Sequence, residues 1–181
     1  MPPSAAAIVS VFNTTFNSAN SILFICAATS AARWSGESPS SYHFPGLPLV
    51  IGSTLFISGL MIETVSEVQR ALFKRNPENK GKPYTGGLWA LTRHANYLGY
   101  TLWRGGYALA AGGWLWGAAT AGFFAFDFIN RGIPVLEEYC ENRVSPASIM
   151  VALDQANNLQ YADMWHMYQD KTPYVFIPYI Y

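Results

Sequence analysis

The stretch "LWALTRHANYLGYTLWRGG", Leu88 to Gly106, decides how the chain is read. It carries Arg93, His94, Asn96 and Arg104, with Tyr97 and Tyr100 set between them, and the sequence around it is strongly apolar. A helix facing only lipid has no use for such groups. Ionisable side chains at membrane depth are costly, so they face a bundle interior or a wet cavity.

Working outward from that stretch, charge is distributed unevenly. No charged side chain precedes Arg33, none lies between Pro45 and Ile62, and Gly105 to Phe126 is a third uncharged run. That last run is long enough to span a bilayer, which takes roughly 20 apolar residues. The N-terminal run lacks a basic leader and is interrupted by Asn13, Thr14, Thr15 and Asn17, so it does not read as a cleaved signal. The expected fold is therefore all-α: a polytopic bundle of about four spans with a cytosolic C-terminal helix and tail. The spans fall at about 5–32, 47–73, 95–111 and 114–130, and Gly112-Gly113 permits a reversal between the last two.

The chain reads as one membrane domain, with an N-terminal span and loop (1–46), motif-bearing helices (47–144), and a loop and tail (145–181). Pro and Gly residues keep "KRNPENKGKPYTGG" from being helical. That loop holds Lys74, Arg75, Lys80 and Lys82, with Arg93 beyond it, so the positive-inside bias makes it cytosolic. Four spans then put both termini in the cytosol, which sets aside the sequon at Asn13. Zero net charge argues against nucleic acid as a partner. Cys26 and Cys140 are far apart and form no metal or disulfide pattern, consistent with two thiols in a reducing compartment.

The polar residues form stripes. Glu63, Glu67, Arg70 and Lys74 repeat at helical spacing along the end of the second span. Arg93, Asn96, Tyr97, Tyr100 and Arg104 make a second stripe, and Asp127 with Arg131 leads to Glu137 and Glu138. Each has a bland reading: an ion-pair ladder for the first, an interfacial pair for Asp127 and Arg131, a helix-start residue for His94. Together they describe a polar cavity open to the cytosol. Arg and Lys converging with Asn and Tyr suit an anionic, hydrogen-bonding ligand such as a nucleotide with phosphates. No dinucleotide-binding glycine loop, P-loop or His/Cys metal set is present.

"GGLWALTRHANYLGY" resembles a motif of the steroid 5-alpha-reductase and sterol C14-reductase superfamily, in which Arg-His-x-Asn-Tyr-x-Gly follows a Gly and Trp turn. "ETVSEVQRALFKRNPENKGK" and the closing "QYADMWHMYQDKTPYVFIPYIY" are similar to the stretches before and after it. The resemblance implies NADPH and reduction of a carbon–carbon double bond in a hydrophobic substrate such as a sterol, a terpenoid or a similar enone. It implies cofactor contacts at Trp89, Asn96 and Tyr97, with Glu137 and Tyr168 from the tail, and polar cofactor-facing positions at Glu63, Glu67, Lys74 and Arg93. Arg104 and Arg131 join that set on their position in the stripes alone. Tyr100 is the expected proton donor, with Glu63 as its carboxylate partner. The expected setting is the endoplasmic reticulum membrane, with the bilayer as the surroundings and a homo-oligomer as one possible assembly.

The chain departs from that pattern. Tyr100 stands where an acidic residue is usual and Ala162 where Gly is usual. The superfamily's additional N-terminal helices, which carry much of its substrate pocket, are not in this sequence. A minimal enzyme with Tyr100 as its acid, a dimer sharing a pocket, and altered chemistry all fit. Three other functions fit the same residues. A membrane methyltransferase of the isoprenylcysteine carboxyl methyltransferase type would bind S-adenosylmethionine and use Glu137-Glu138. A cofactor-free isomerase would use Tyr100 with Glu63. A structural subunit would tolerate Asn96→Ala and Tyr97→Phe.

Overall fold

The computed structural model describes residues 3–34, 46–79, 82–142 and 163–180, and among these there is no strand. Helix α1 is Pro3–Trp34, α2 is Leu47–Arg75, α3 is Ala95–Asp127 and α4 is Ile133–Asn142. A fifth helix, α5, spans 163–171. Single 3-10 turns at Pro77–Asn79 and Gly87–Ala90 punctuate the basic loop, and a π-turn, Phe128–Gly132, joins α3 to α4. Ala6–Cys26, Leu47–Arg75 and Ala95–Cys140 are long and apolar enough to cross a membrane. The protein is an all-α membrane bundle. The expected loop at 145–158 lies outside the described residues, whereas the stretch read as an aromatic tail begins with α5.

The long α3 is a hairpin. Gly113 sits at φ 79°, ψ −170°, which no helix accommodates and which L side chains rarely adopt. A straight helix would hold Gly105 and Ala121 about 24 Å apart. Instead a Cβ on Gly105 would lie 2.8 Å from the Ala121 Cβ, and one on Gly117 would lie 2.6 Å from the Leu109 Cβ. Both pairs are centred on residue 113, so two antiparallel arms pack against each other. These arms are the third and fourth spans expected from the sequence, with the reversal at the expected glycine pair.

The chain forms two compact units. The first is Met1–Ile57 with Trp103–Ala121, and the second is Ser58–Leu102 with Gly122–Tyr181. In the first unit α2 and α3 meet backbone to backbone: a Cβ on Gly106 would sit 2.6 Å from the Phe56 nitrogen, and one on Gly52 would sit 2.6 Å from the Gly106 oxygen. Small residues at helix seams are how apolar helices approach closely in lipid, where no hydrophobic drive separates helix from solvent. α1 joins through polar contacts. Arg104, 5% exposed, donates to Asn13 Oδ1, and Trp116 donates from Nε1 to Asn20 Oδ1 at 2.7 Å. Phe16 stacks on Trp116. A largely apolar cavity of about 500 Å³ lies beside that seam, between Phe24, Leu49, Phe56 and Tyr107.

The second unit repeats the close approach at Gly99, where a Cβ would lie 2.6 Å from the Glu63 nitrogen and 2.8 Å from the Gly59 oxygen. Its interior is aromatic. His94, Tyr97 and Phe128 form a near-parallel stack, and Tyr100 meets Phe124 and Phe128 edge-on. Phe176, 1% exposed, closes the group from the C-terminal segment.

Candidate functional site

The second unit places Trp89 first. The 3-10 turn at Gly87–Ala90 is fastened to α2 by two bonds: Leu88 N donates to Gln69 Oε1 at 3.1 Å, and Trp89 Nε1 donates to Ser66 O at 2.9 Å. Arg70 lies over the Trp89 ring at 5.1 Å, a cation–π contact. From the other side Tyr168 donates its hydroxyl to Trp89 O at 2.7 Å. Burial pushes the Tyr168 phenol above its ordinary pKa, partly offset by the Arg93 charge, so it remains the protonated donor.

Arg93 is the next fixed point and is 9% exposed. Its fork grips Glu137, Nε to Oε1 at 2.9 Å and Nη2 to Oε2 at 3.3 Å, while Nη1 donates to Thr172 O at 3.0 Å. The backbone amides of Arg93 and His94 donate to Tyr174 O at 2.9 Å and Val175 O at 3.1 Å. His94 Nε2 lies 3.3 Å from the same Glu137 oxygen. A planar guanidinium offers five donors in fixed directions, so it can fork onto both carboxylate oxygens and still reach a peptide carbonyl, a geometry that a lysine ammonium does not reproduce. The Arg-His pair therefore ties the start of α3, α4 and the C-terminal segment together.

A cavity of about 610 Å³ opens beside these anchors. Five cations line it: Arg70, Lys74, Arg75, Lys82 and Arg93. Glu67 pairs with Arg70 at 2.6 Å and Glu137 with Arg93 at 2.9 Å. Among the described residues, Lys74, Arg75 and Lys82 have no acidic partner within ion-pair distance. The other walls are flat or polar, with Tyr84, Trp89, Trp165 and Tyr168 beside Asn76 and Asn79. Three cations left over at one concave, aromatic site fit a ligand carrying several anionic groups.

The expected cofactor residues divide accordingly. Lys74, Trp89, Arg93 and Tyr168 line the cavity. Glu67 and Glu137 stand behind it and hold its arginines, and Asn96 donates Nδ2 to Glu67 Oε1 at 3.0 Å. The Asn96 Oδ1 is buried without a partner. Tyr97 is occupied in the His94–Phe128 stack. Arg131 is 75% exposed, and its fork closes on Asp127 through two 2.7 Å bonds. The structure does not bring it to the cavity. Arg104 belongs to the first unit, on Asn13 and over the Trp103 ring, so its polarity joins helices there. Tyr100 is half-buried against Phe124 and Phe128, and the Glu63 backbone packs on Gly99.

Arg70 enters the sequence reading only within the polar stripe of the second span, and Arg75, Lys82 and Tyr84 are lining residues that it does not select. Their signal is the basic loop itself, whose charge the sequence reads only as membrane topology.

Residues 6–147 match the family model described as "Protein of unknown function (DUF1295)", and the chain belongs to this family. It is 49% identical over 142 residues to "Probable O-methyltransferase ustE" of Ustilaginoidea virens, a match covering 77% of this chain and 48% of that protein. It is 37% identical over 67 residues to a Delta(14)-sterol reductase of Gibberella zeae, covering 29% of this chain and 14% of that protein. The chain thus spans about half the length, or less, of these curated relatives. No solved structure matches it. Both relatives carry the names of enzymes, and the matches agree with the steroid-reductase-like superfamily in broad terms.

Proposed function

We propose that the protein is a membrane reductase that binds NADPH in the basic cavity of its second unit and reduces a carbon–carbon double bond of a hydrophobic substrate. One observation carries the choice of cofactor: Lys74, Arg75 and Lys82 line the cavity without an acidic partner among the described residues. NADPH carries a diphosphate and a further phosphate, so it supplies the missing anions. S-adenosylmethionine carries no phosphate, and its sulfonium is a cation that the same lining repels.

Arg70, Lys74, Arg75 and Lys82 would hold the phosphates, and the faces of Trp89 and Tyr84 would position the flat rings. When bound, NADPH supplies a hydride to the double bond. The remaining proton is assigned to Tyr100, whose ring Phe124 and Phe128 fix edge-on, with Glu63 as the carboxylate partner of that transfer. Glu67 and Glu137 act indirectly, by holding Arg70 and Arg93 in place. The substrate would arrive from the bilayer, with the basic loop on the cytosolic side of the endoplasmic reticulum membrane.

The second reading is methyl transfer from S-adenosylmethionine, favoured by the 49% identity to a protein named as an O-methyltransferase. Thermal unfolding of the detergent-purified protein with each cofactor separates the two. A ligand at 100 times its dissociation constant stabilises a fold by about 2.7 kcal/mol. Stabilisation by NADPH and not by S-adenosylmethionine, lost in Lys74→Glu, is the expected result. Stabilisation by S-adenosylmethionine alone would overturn it in favour of methyl transfer.

A further inference from the structure

A second cavity, of about 480 Å³, shares a wall with the basic one. Asn79, Lys82, Pro83, Tyr84 and Tyr168 line both. The partition is built by α5 and the 82–84 segment. Along α5, Trp165 and Tyr168 line the basic cavity, while Met164, Met167 and Lys171 line the second. The latter three repeat at i, i+3 and i+7 and form one helical stripe. Phe73 and Tyr84, packed with ring centroids 5.0 Å apart, line the same lobe as the methionines.

We propose that the two cavities are one extended dinucleotide site and that the second lobe takes the adenosine end, with Lys82 and Lys171 beside the phosphate on its ribose. This rests on the NADPH reading above and deepens it. A dinucleotide is two flat ring systems joined by a charged diphosphate, so it needs two slots with cations between them. Arg70, Lys74 and Arg75 line the basic lobe and supply cations for the diphosphate, and each lobe supplies its own flat or polarisable faces. Methionine sulfur against an aromatic edge suits a purine, whose ring needs contact area more than hydrogen bonds. Each lobe alone falls within the ~300–1,000 Å³ range of small-molecule sites. Lys82 and Lys171 are exposed cations, so a neutral adenine ring would gain little from them. A phosphate at that position gives both a partner, which makes the lobe selective for NADPH over NADH.

The test uses the full chain in detergent and adenosine 2′,5′-bisphosphate, which carries the base and ribose phosphate without the nicotinamide. Affinities for NADPH, NADH and this probe are measured by competition in the unaltered protein and in Lys171→Glu, Met164→Asp and Lys74→Glu. The expected result is that the probe competes with NADPH, and that Lys171→Glu weakens NADPH and the probe at least tenfold while leaving NADH within threefold. Met164→Asp should weaken all three, and Lys74→Glu should weaken both dinucleotides more than the probe. NADPH binding that is unchanged in Lys171→Glu and Met164→Asp overturns the second lobe and leaves the NADPH reading standing. Failure of the unaltered protein to bind NADPH overturns both. Because Lys171 is exposed, loss of folding does not confound that arm, and an unchanged unfolding temperature verifies it.

Discussion

The two units use stretches of the same helices, α2 and α3, for different ends. In the first unit two polar side-chain pairs join helices: Arg104 with Asn13, and Trp116 with Asn20. In the second, five cations line a cavity, and two of them have acidic partners among the described residues. Polarity inside an apolar bundle is thus not itself a sign of function. Matched partners hold helices together where water is absent to satisfy them. An excess of one sign at a concave surface leaves charge for something that is not protein.

Both units depend on the glycine seam, and breaking it should have the largest effect. Gly99→Leu or Gly106→Leu would drive a side chain into backbone atoms that lie 2.6 Å from the first added carbon. Backbone cannot rotate away as a side chain can, so overpacking here should exceed the usual ~1–3 kcal/mol. Monodisperse protein should be lost from detergent extracts of either variant. Gly122→Ala, which meets nothing within 4 Å, should purify and melt like the parent.

Removing Arg93 sharpens the comparison, because in the second unit it is one of the two lining cations with an acidic partner. Arg93→Ala leaves Glu137, whose side chain is 18% exposed, facing a gap and frees the carbonyls of Thr172 and Pro173. Breaking a fully buried pair from one side costs about 3–5 kcal/mol, and the loss here should be smaller, because Glu137 is partly exposed and keeps His94 beside it. Adding Glu137→Gln should recover part of that loss in the unfolding temperature. Tryptic cleavage at Lys171 should quicken in the single variant as the C-terminal segment comes away.

In the first unit, Trp116→Phe should cost about 1–3 kcal/mol, since it leaves the buried Asn20 oxygen without its donor. Cofactor affinity should not change. Lys74→Glu should do the reverse, with an unmoved unfolding temperature and at least a tenfold weaker affinity for NADPH. That factor corresponds to about 1.4 kcal/mol. If both variants moved both readouts equally, the contrast between matched and unmatched polar groups would be wrong.

Much of this was legible in the sequence. The uncharged runs gave the spans, and Gly112-Gly113 gave the reversal, because φ 79° with ψ −170° is a conformation essentially reserved for glycine. Lys74, Trp89, Arg93 and Tyr168, expected from the sequence as cofactor contacts, line one cavity. What the sequence hid was partnership. Arg93 and Glu137 are 44 residues apart, and nothing local says that one neutralises the other. Arg104 looked like part of the Arg93 stripe because α3 spacing aligns them, whereas its partner is on α1. Arg75 and Lys82 were legible as charge but not as lining, since loop residues carry no periodicity from which a face can be read.

Arg131 is the smallest and most discriminating case. It has the same spacing logic as the lining cations, but it is 75% exposed and forked onto Asp127 one turn earlier. A surface pair of this kind gains little from Coulomb attraction in water and loses side-chain freedom in forming. Arg131→Ala should therefore leave both the unfolding temperature and the NADPH affinity within error. A tenfold loss of affinity would mean that an exposed, paired arginine still reaches the ligand. Partner counting would then be the wrong way to tell a binding cation from a structural one.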